Sequence, residues 1–264
     1  MIEVQGLGVT FARGTVLETR ALAEVDLAIP AGQFVTVIGS NGAGKSTLLN
    51  ALTGDVLPDR GRVEVDGQDV TGWSAPARAR LIARVFQDPL AGSCEALSIE
   101  ENLALAAARG RARGLGLALN RELRERFRAR LARLGLGLDK RLTDRMGLLS
   151  GGQRQAVSLL MATLAPMKVL LLDEHTAALD PKTADFVLQL TRDIVAEQRL
   201  TTLMVTHSMR HALDCGSRTI MLHEGRICFD VAGERRAGLD VPDLVALFAE
   251  VRGARLDDDS LLLA

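Results

Sequence analysis

No uninterrupted apolar run in this chain approaches the roughly 20 residues that a membrane span needs. The longest apolar stretches, near Val169–Leu172 and Leu203–Val205, have the length of strands. Work at a membrane would therefore call for another chain to supply the spans. The opening Met1-Ile2-Glu3-Val4-Gln5-Gly6 lacks the charged-then-apolar layout of a signal peptide, so a soluble, intracellular protein is expected. Net charge is equally scarce. With 32 Lys and Arg against 33 Asp and Glu the formal charge is -1, so no global basic field draws the chain to nucleic acid. The three cysteines, Cys94, Cys215 and Cys228, form neither a CxxC pair nor a zinc pattern. They read as buried thiols in a reducing cytosol rather than as a disulfide. Internal repeats and tyrosine are both absent.

What is present fits an ordinary globular protein: 264 residues, 25% charged and 47% apolar. That length exceeds the usual single domain of about 100–200 residues, which suits one large α/β domain with an inserted lobe. The first third is β-rich, with apolar runs around Val4–Phe11, Val25–Ile29 and Phe34–Ile38. The last of these is rich in apolar and β-branched residues, as expected of a strand buried on both faces. From about Pro89 to Leu149 alanine, leucine and arginine take over. Leu123, Phe127, Leu131 and Leu134 align on one helical face, and Gly110–Gly116 reads as a loop between helices. Strands then resume at Val169–Leu172, Thr202–Val205 and Thr219–Leu222, alternating with helices, which implies a parallel sheet covered on both faces. The expected fold is thus α/β: a phosphate-loop core with an N-terminal antiparallel β part and an inserted helical subdomain. The core would span 1–88 and 154–264, and the helical subdomain 89–153.

Gly39-Ser40-Asn41-Gly42-Ala43-Gly44-Lys45-Ser46 matches the phosphate-binding loop G-x-x-x-x-G-K-[ST], directly after a buried strand and opening a helix. Its glycines let backbone N–H groups turn onto phosphates, and the helix dipole adds about 0.3–1 kcal/mol for a single charge. Lys45 then pairs with the β- and γ-phosphates and Ser46 ligates Mg²⁺; Thr47 closes the binding segment. Val169-Leu170-Leu171-Leu172-Asp173-Glu174 is an apolar strand ending in two acids, placed where doubly wound sheets bind ligands. Asp173 suits Mg²⁺ through water, and Glu174 can take a proton from the attacking water. Leu149-Ser150-Gly151-Gly152-Gln153 lies immediately before a helix, where Ser150, Gly151, Gly152 and Gln153 build a second anion site.

With that last motif the chain resembles the ATP-binding-cassette ATPases, whose signature is L-S-G-G-Q. Nearly the entire chain follows the family order: phosphate loop, Gln87, helical lobe, signature, acid strand, Ala178-Leu179-Asp180-Pro181, and His207 after the next strand. The resemblance implies that the signature binds the γ-phosphate of ATP held by another copy. Two chains would then pair head to tail around two ATP molecules. It further implies that Gln87 reaches Mg²⁺ and the water, that His207 contacts the γ-phosphate, and that Asp180 meets the opposite subunit. Phe11 is the candidate to stack on adenine where the family often uses tyrosine; the other reading is a core phenylalanine. His175 departs from the pattern, standing where proline commonly follows the catalytic acid.

The expected function is the ATP-hydrolysing subunit of a transporter, similar to bacterial importer ATPases for a small solute of amino-acid type. Its partners would be two transmembrane permease subunits and an extracytoplasmic solute-binding protein, with no nucleic acid, and its place the inner face of the cell membrane. The basic Arg109–Arg145 stretch suits permease loops and an anionic membrane surface, or is a plain solvated face. Leu97, Ile99 and Leu103 are candidates to line a docking groove. A non-transport cassette ATPase, or an exporter subunit, is the alternative.

Overall fold

The computed structural model describes residues 1–110 and 118–252. In chain order its strands are β1 (Ile2–Phe11), β2 (Thr19–Ile29), β3 (Phe34–Ile38), β4 (Arg60–Val65), β5 (Gln68–Asp69), β6 (Ile82–Val85), β7 (Val169–Asp173), β8 (Thr201–Val205), β9 (Arg218–His223) and β10 (Arg226–Ala232). The helices are α1 (Lys45–Thr53), α2 (Ala75–Arg78), α3 (Ile99–Ala107), α4 (Arg121–Ala132), α5 (Gly151–Leu164), α6 (Pro181–Gln198), α7 (Met209–Asp214), α8 (Gly233–Ala237) and α9 (Val241–Arg252).

An antiparallel sheet in the order β2-β1-β4-β5 is built around the long β1–β2 hairpin, in which Ile2 faces Ile29 and Phe11 faces Thr19. The second sheet runs β10-β9-β3-β8-β7-β6; its pairs from β9 to β6 are parallel and only β10 runs antiparallel, against β9. All five residues of β3, β7 and β8 are buried, because helices cover both faces. On one face Val35, Val37, Leu171 and Val205 pack with Leu48, Leu49 and Leu52 of α1 and with the antiparallel sheet. On the other, Val85, Leu170 and Leu172 pack with Leu159 of α5 and Leu188 of α6.

The alanine- and leucine-rich segment has its own core. Phe127, Leu131 and Leu134 of the predicted helical stripe are buried there with Ile99, Leu103 and Met146, against Ala156, Val157 and Leu160 of α5. Ile99 and Leu103 are fully buried, so neither lines a docking groove; the Ser98 capping box, with Glu101 at the third helical position, starts α3 and turns both inward. Part of the basic stretch is neutralised: Arg124 pairs with Glu100, Arg133 with Glu197 and Arg141 with Asp144. The Gly110–Gly116 loop reading lies almost wholly outside the described residues. Cys215 is buried as expected, but Cys94 and Cys228 are exposed, the latter because it falls on the outward side of edge strand β10.

Candidate active site

β3, β8, β7 and β6 end at a common edge of the parallel sheet. Val37 lies opposite Val205, Val205 opposite Asp173, and Leu172 opposite Val85. The segments that follow them, namely Gly39–Ser46, His207, Glu174 and Gln87, leave the sheet side by side. Adjacent strands are about 4.8 Å apart, and β8 runs between β3 and β7. His207 therefore emerges between the glycine loop and Glu174.

The loop wraps the start of α1. Lys45 is 5% exposed, and its Nζ donates to the carbonyls of Gly39 (2.7 Å) and Ser40 (3.0 Å). Its ammonium thus lies on the inner side of the loop, where phosphate oxygens would meet it. Asn41, Gly42 and Ser46 are exposed, Ser40 and Thr47 half-buried, and Ala43 and Gly44 buried. Gly44 has φ 102°, and a Cβ there would stand 2.4 Å from the carbonyl oxygen of Ala21. Only glycine lets β2 cross the loop at that point. Phe11, paired with Thr19 at the outer end of the same hairpin, is 42% exposed, so it is not a core residue.

At the end of β7, Asp173 is 8% exposed and accepts from Arg84 Nη2 at 2.5 Å. Glu174 adopts a left-handed backbone, φ 45°, which costs a non-glycine residue about 1–2 kcal/mol. The turn is held by its N–H on Val205 O (3.0 Å) and by Ala177 N–H on its own carbonyl (2.9 Å). This strained turn swings the carboxylate toward β8, where His207 Nε2 lies 2.7 Å from Glu174 Oε1. Strain concentrated on a strand-end acid is a common mark of a functional position.

His175 is a different kind of residue. It is 2% exposed, and its Nε2 lies 3.0 Å from Thr191 Oγ1. Because the Thr191 hydroxyl donates its proton to Val187 O (2.8 Å), His175 Nε2 is the donor. Burial, aided by the charge of His211, pushes its pKa down to about 4. The histidine in place of proline is therefore a core side chain bridging the acid turn to α6.

Ser150 caps α5 in a reciprocal box: its Oγ accepts from Gln153 N–H (3.3 Å) while Gln153 Oε1 accepts from Ser150 N–H (3.2 Å). Ser150 and Gly151 are exposed, which leaves the start of a 14-residue helix open to an anion. Gly152 packs directly on α6; a Cβ there would come within 2.1 Å of Thr183 Cγ2. Asp180 caps α6, accepting from Thr183 N–H at 3.2 Å, and the Thr183 hydrogen bonds hold its carboxyl below the usual range. Gln87 is exposed just beyond β6, whose following carbonyl, Phe86 O, accepts from Gln155.

Ser46, Gln87 and Asp173 bring hydroxyl, amide and carboxylate oxygens, a hard donor set suited to Mg²⁺. Among the described residues no group of three or more His, Cys, Asp or Glu forms a metal cage. Sequence reasoning overlooked Arg84; the only signal was a charge inside the apolar run Ile82-Ala83-Arg84-Val85. It also overlooked a cleft of about 470 Å³ between β6 and helices α3 and α5, lined by Phe86, Pro89, Cys94, Leu105, Arg109 and Met161.

Comparison with known proteins gives the family and the fold. The family model described as ABC transporter matches residues 22–177, more than half of the chain. A tyrosine transport ATP-binding protein of Clostridioides difficile is 41% identical over 248 residues, 94% of this chain and 98% of that protein. The thiamine import ATP-binding protein ThiQ of Salmonella choleraesuis is 38% identical over 205 residues, 77% of this chain and 81% of its own length. Among solved structures, the dimeric post-hydrolysis cassette MJ0796 bound to ADP and Pi superposes with a TM-score of 0.76 at 29% identity, covering 88% of this chain and 98% of that one. With a phosphate loop after β3, an acid pair after β7 and a capped signature helix on one fold, this chain belongs to the ABC transporter family as an ATP-binding, ATP-hydrolysing subunit.

Proposed function

We propose that the chain works as a head-to-tail pair at the inner face of a cell membrane, driving import of a small solute through two permease subunits. The observation that carries the pairing is the exposed N-terminus of α5 at Ser150 and Gly151. It is a second phosphate-binding turn, separate from the loop at Lys45, and each occurs once per chain. Two copies complete two sites, each with Gly39–Thr47 of one and Ser150–Gln153 of the other, while Asp180 meets the partner near the phosphates.

In each site Lys45 holds the β- and γ-phosphates and Phe11 stacks on the base. Ser46 and Gln87 offer oxygen ligands to Mg²⁺, with Asp173 acting through water. Bound Mg²⁺ supplies positive charge against the phosphate oxygens. Glu174 takes the proton of the attacking water as general base, and His207, in contact with it, fixes the carboxylate and the γ-phosphate geometry. The 89–153 lobe carries Ser150 and moves with it as the pair closes.

The cleft between β6, α3 and α5 is the place for a permease segment. It adjoins the Phe86–Gln87 segment, so movement of the segment is felt at Gln87. The similarity to a tyrosine transport protein over nearly the full chain favours an amino-acid-type solute delivered by a solute-binding protein. The test is purification of the tagged chain from membranes. Recovery of a multi-spanning membrane protein, with ATPase activity raised by it, is expected. Stimulation by DNA or ribosomes and no membrane partner would contradict it.

A further inference from the structure

Arg84 is a cation in a buried strand, and its surroundings fix where it points. It pairs with Leu171 across β6 and β7, and Leu171 and Asp173 share a face because alternate residues of a strand do. The guanidinium therefore runs along that face to the acid. Nη2 donates to Asp173 Oδ2 at 2.5 Å, and Nη1 donates to Asn50 Oδ1 at 2.7 Å and lies 3.6 Å from Asp55 Oδ2. The Phe86 ring stacks beneath it, 4.8 Å to the centroid. With side chains 11% and 12% exposed, Arg84 and Asp173 are an enclosed pair anchored from α1 and from the segment after β6.

This arrangement matters for the cation that Asp173 is read to serve. Asp173 is a carboxylate with little water around it, and such a group attracts cations strongly. Arg84 already supplies that cation, tethered and pinned on two other sides. A free divalent ion approaching Asp173 finds one carboxylate oxygen taken and a like charge fixed beside it. The triphosphate of ATP brings several negative charges of its own, enough to tip the balance in favour of the metal.

We propose that Arg84 is a resident counter-ion of Asp173 that keeps the site weak for a bare divalent cation, so that Mg²⁺ enters together with ATP. Arg84 acts through its contact with Asp173, so it is a positioning residue. The proposal rests on the assignment of Asp173 to the metal.

The test titrates Mn²⁺ into the nucleotide-free, full-length chain and follows the loss of the free-Mn²⁺ electron paramagnetic resonance signal. Weak binding is expected for the wild type. Arg84→Gln is expected to bind Mn²⁺ about tenfold or more tightly, the lower end of what a neighbouring charge does to a proton on a carboxylate. Adding Asp173→Asn should abolish the gain. Wild-type protein that already binds as tightly as Arg84→Gln, or a folded Arg84→Gln with no gain, overturns the proposal. Should Arg84→Gln fail to fold, Arg84→Met decides, because it fills similar space and carries no charge beside Asp173. Its affinity should rise several-fold, and an unchanged value overturns the proposal. A separate arm measures ATP binding by Asp173→Asn against Mg²⁺ concentration. If that dependence is unaltered, the metal reading of Asp173 fails; if it weakens while Arg84→Gln shows no gain, only the role of Arg84 fails.

Discussion

His207 Nε2 and Glu174 Oε1 stand 2.7 Å apart across the ends of neighbouring strands β8 and β7. The contact exists because Asp173 lies opposite Val205, so the residue after each acid-strand end comes level with the turn that follows β8. A carboxylate fixed in this way, if it is the base we propose, needs no search for its orientation when substrate arrives.

Glu174→Gln removes the proposed base and leaves the phosphate loop intact. Its turnover should fall about 10²–10⁴-fold, the usual share of a positioned base, with nucleotide affinity unchanged. His207→Ala should lower turnover in the same direction. Single-turnover kinetics with equilibrium ATP binding separates the two effects. Normal turnover in Glu174→Gln would remove that residue from its role.

His175 makes stability sensitive to acid. Its ordinary pKa of 6.5 is lowered to about 4 in the fold by burial. Between those values the unfolded chain binds a proton that the folded chain does not. Stability is therefore complete above about pH 6.5 and is lost as pH falls toward 4, by about 1.4 kcal/mol per unit. His175→Gln can still donate to Thr191 and does not titrate. Denaturant midpoints at pH 7 and pH 5 should show the wild type losing about 2 kcal/mol more than the variant; parallel losses would contradict this.

Arg78 holds the far end of the phosphate-loop helix. It is fully buried, and its guanidinium donates to the carbonyls of Ala51, Leu52, Thr71 and Trp73. Arg78→Met leaves those carbonyls unpaired while filling similar space. A loss of about 2–4 kcal/mol in urea unfolding is expected, and a loss below half a kcal/mol would show that water replaces the guanidinium.

Gly152→Ala places a methyl group within 2.1 Å of Thr183 Cγ2. Overpacking of this kind costs about 1–3 kcal/mol. Thr183→Ser removes the offending methyl and keeps the hydroxyl, so the double variant should regain most of the loss in a double-mutant cycle. Additive losses would place the strain elsewhere.

Much of this arrangement is written locally in the chain. The phosphate loop, the acid pair after Val169–Leu172 and the capping box at Ser150 are each set by a few consecutive residues, so pattern alone places them. The buried stripe of Phe127, Leu131 and Leu134 was likewise visible as helical spacing. Contacts that depend on strand register were not. Arg84 meets Asp173 only because β6 and β7 pair with Arg84 opposite Leu171. Ile99 and Leu103 looked available for docking because nothing in the sequence says which side of α3 faces α5. The place of His175 depends on Thr191, sixteen residues on and on another element, which no local pattern brings to it.

The central claim is that Lys45 of one copy and Ser150 of another hold the same ATP. Mixing Lys45→Ala chains with Ser150→Arg chains tests it most directly, because the hybrid pair retains one site with both residues intact. Light scattering in an otherwise Glu174→Gln background, with ATP and Mg²⁺, should detect dimers in that mixture and none with either variant alone. Chains carrying both substitutions, mixed with Glu174→Gln chains, should give no hybrid pairs. Dimers formed equally well by each single variant, or by the double variant with its partner, would contradict the shared site.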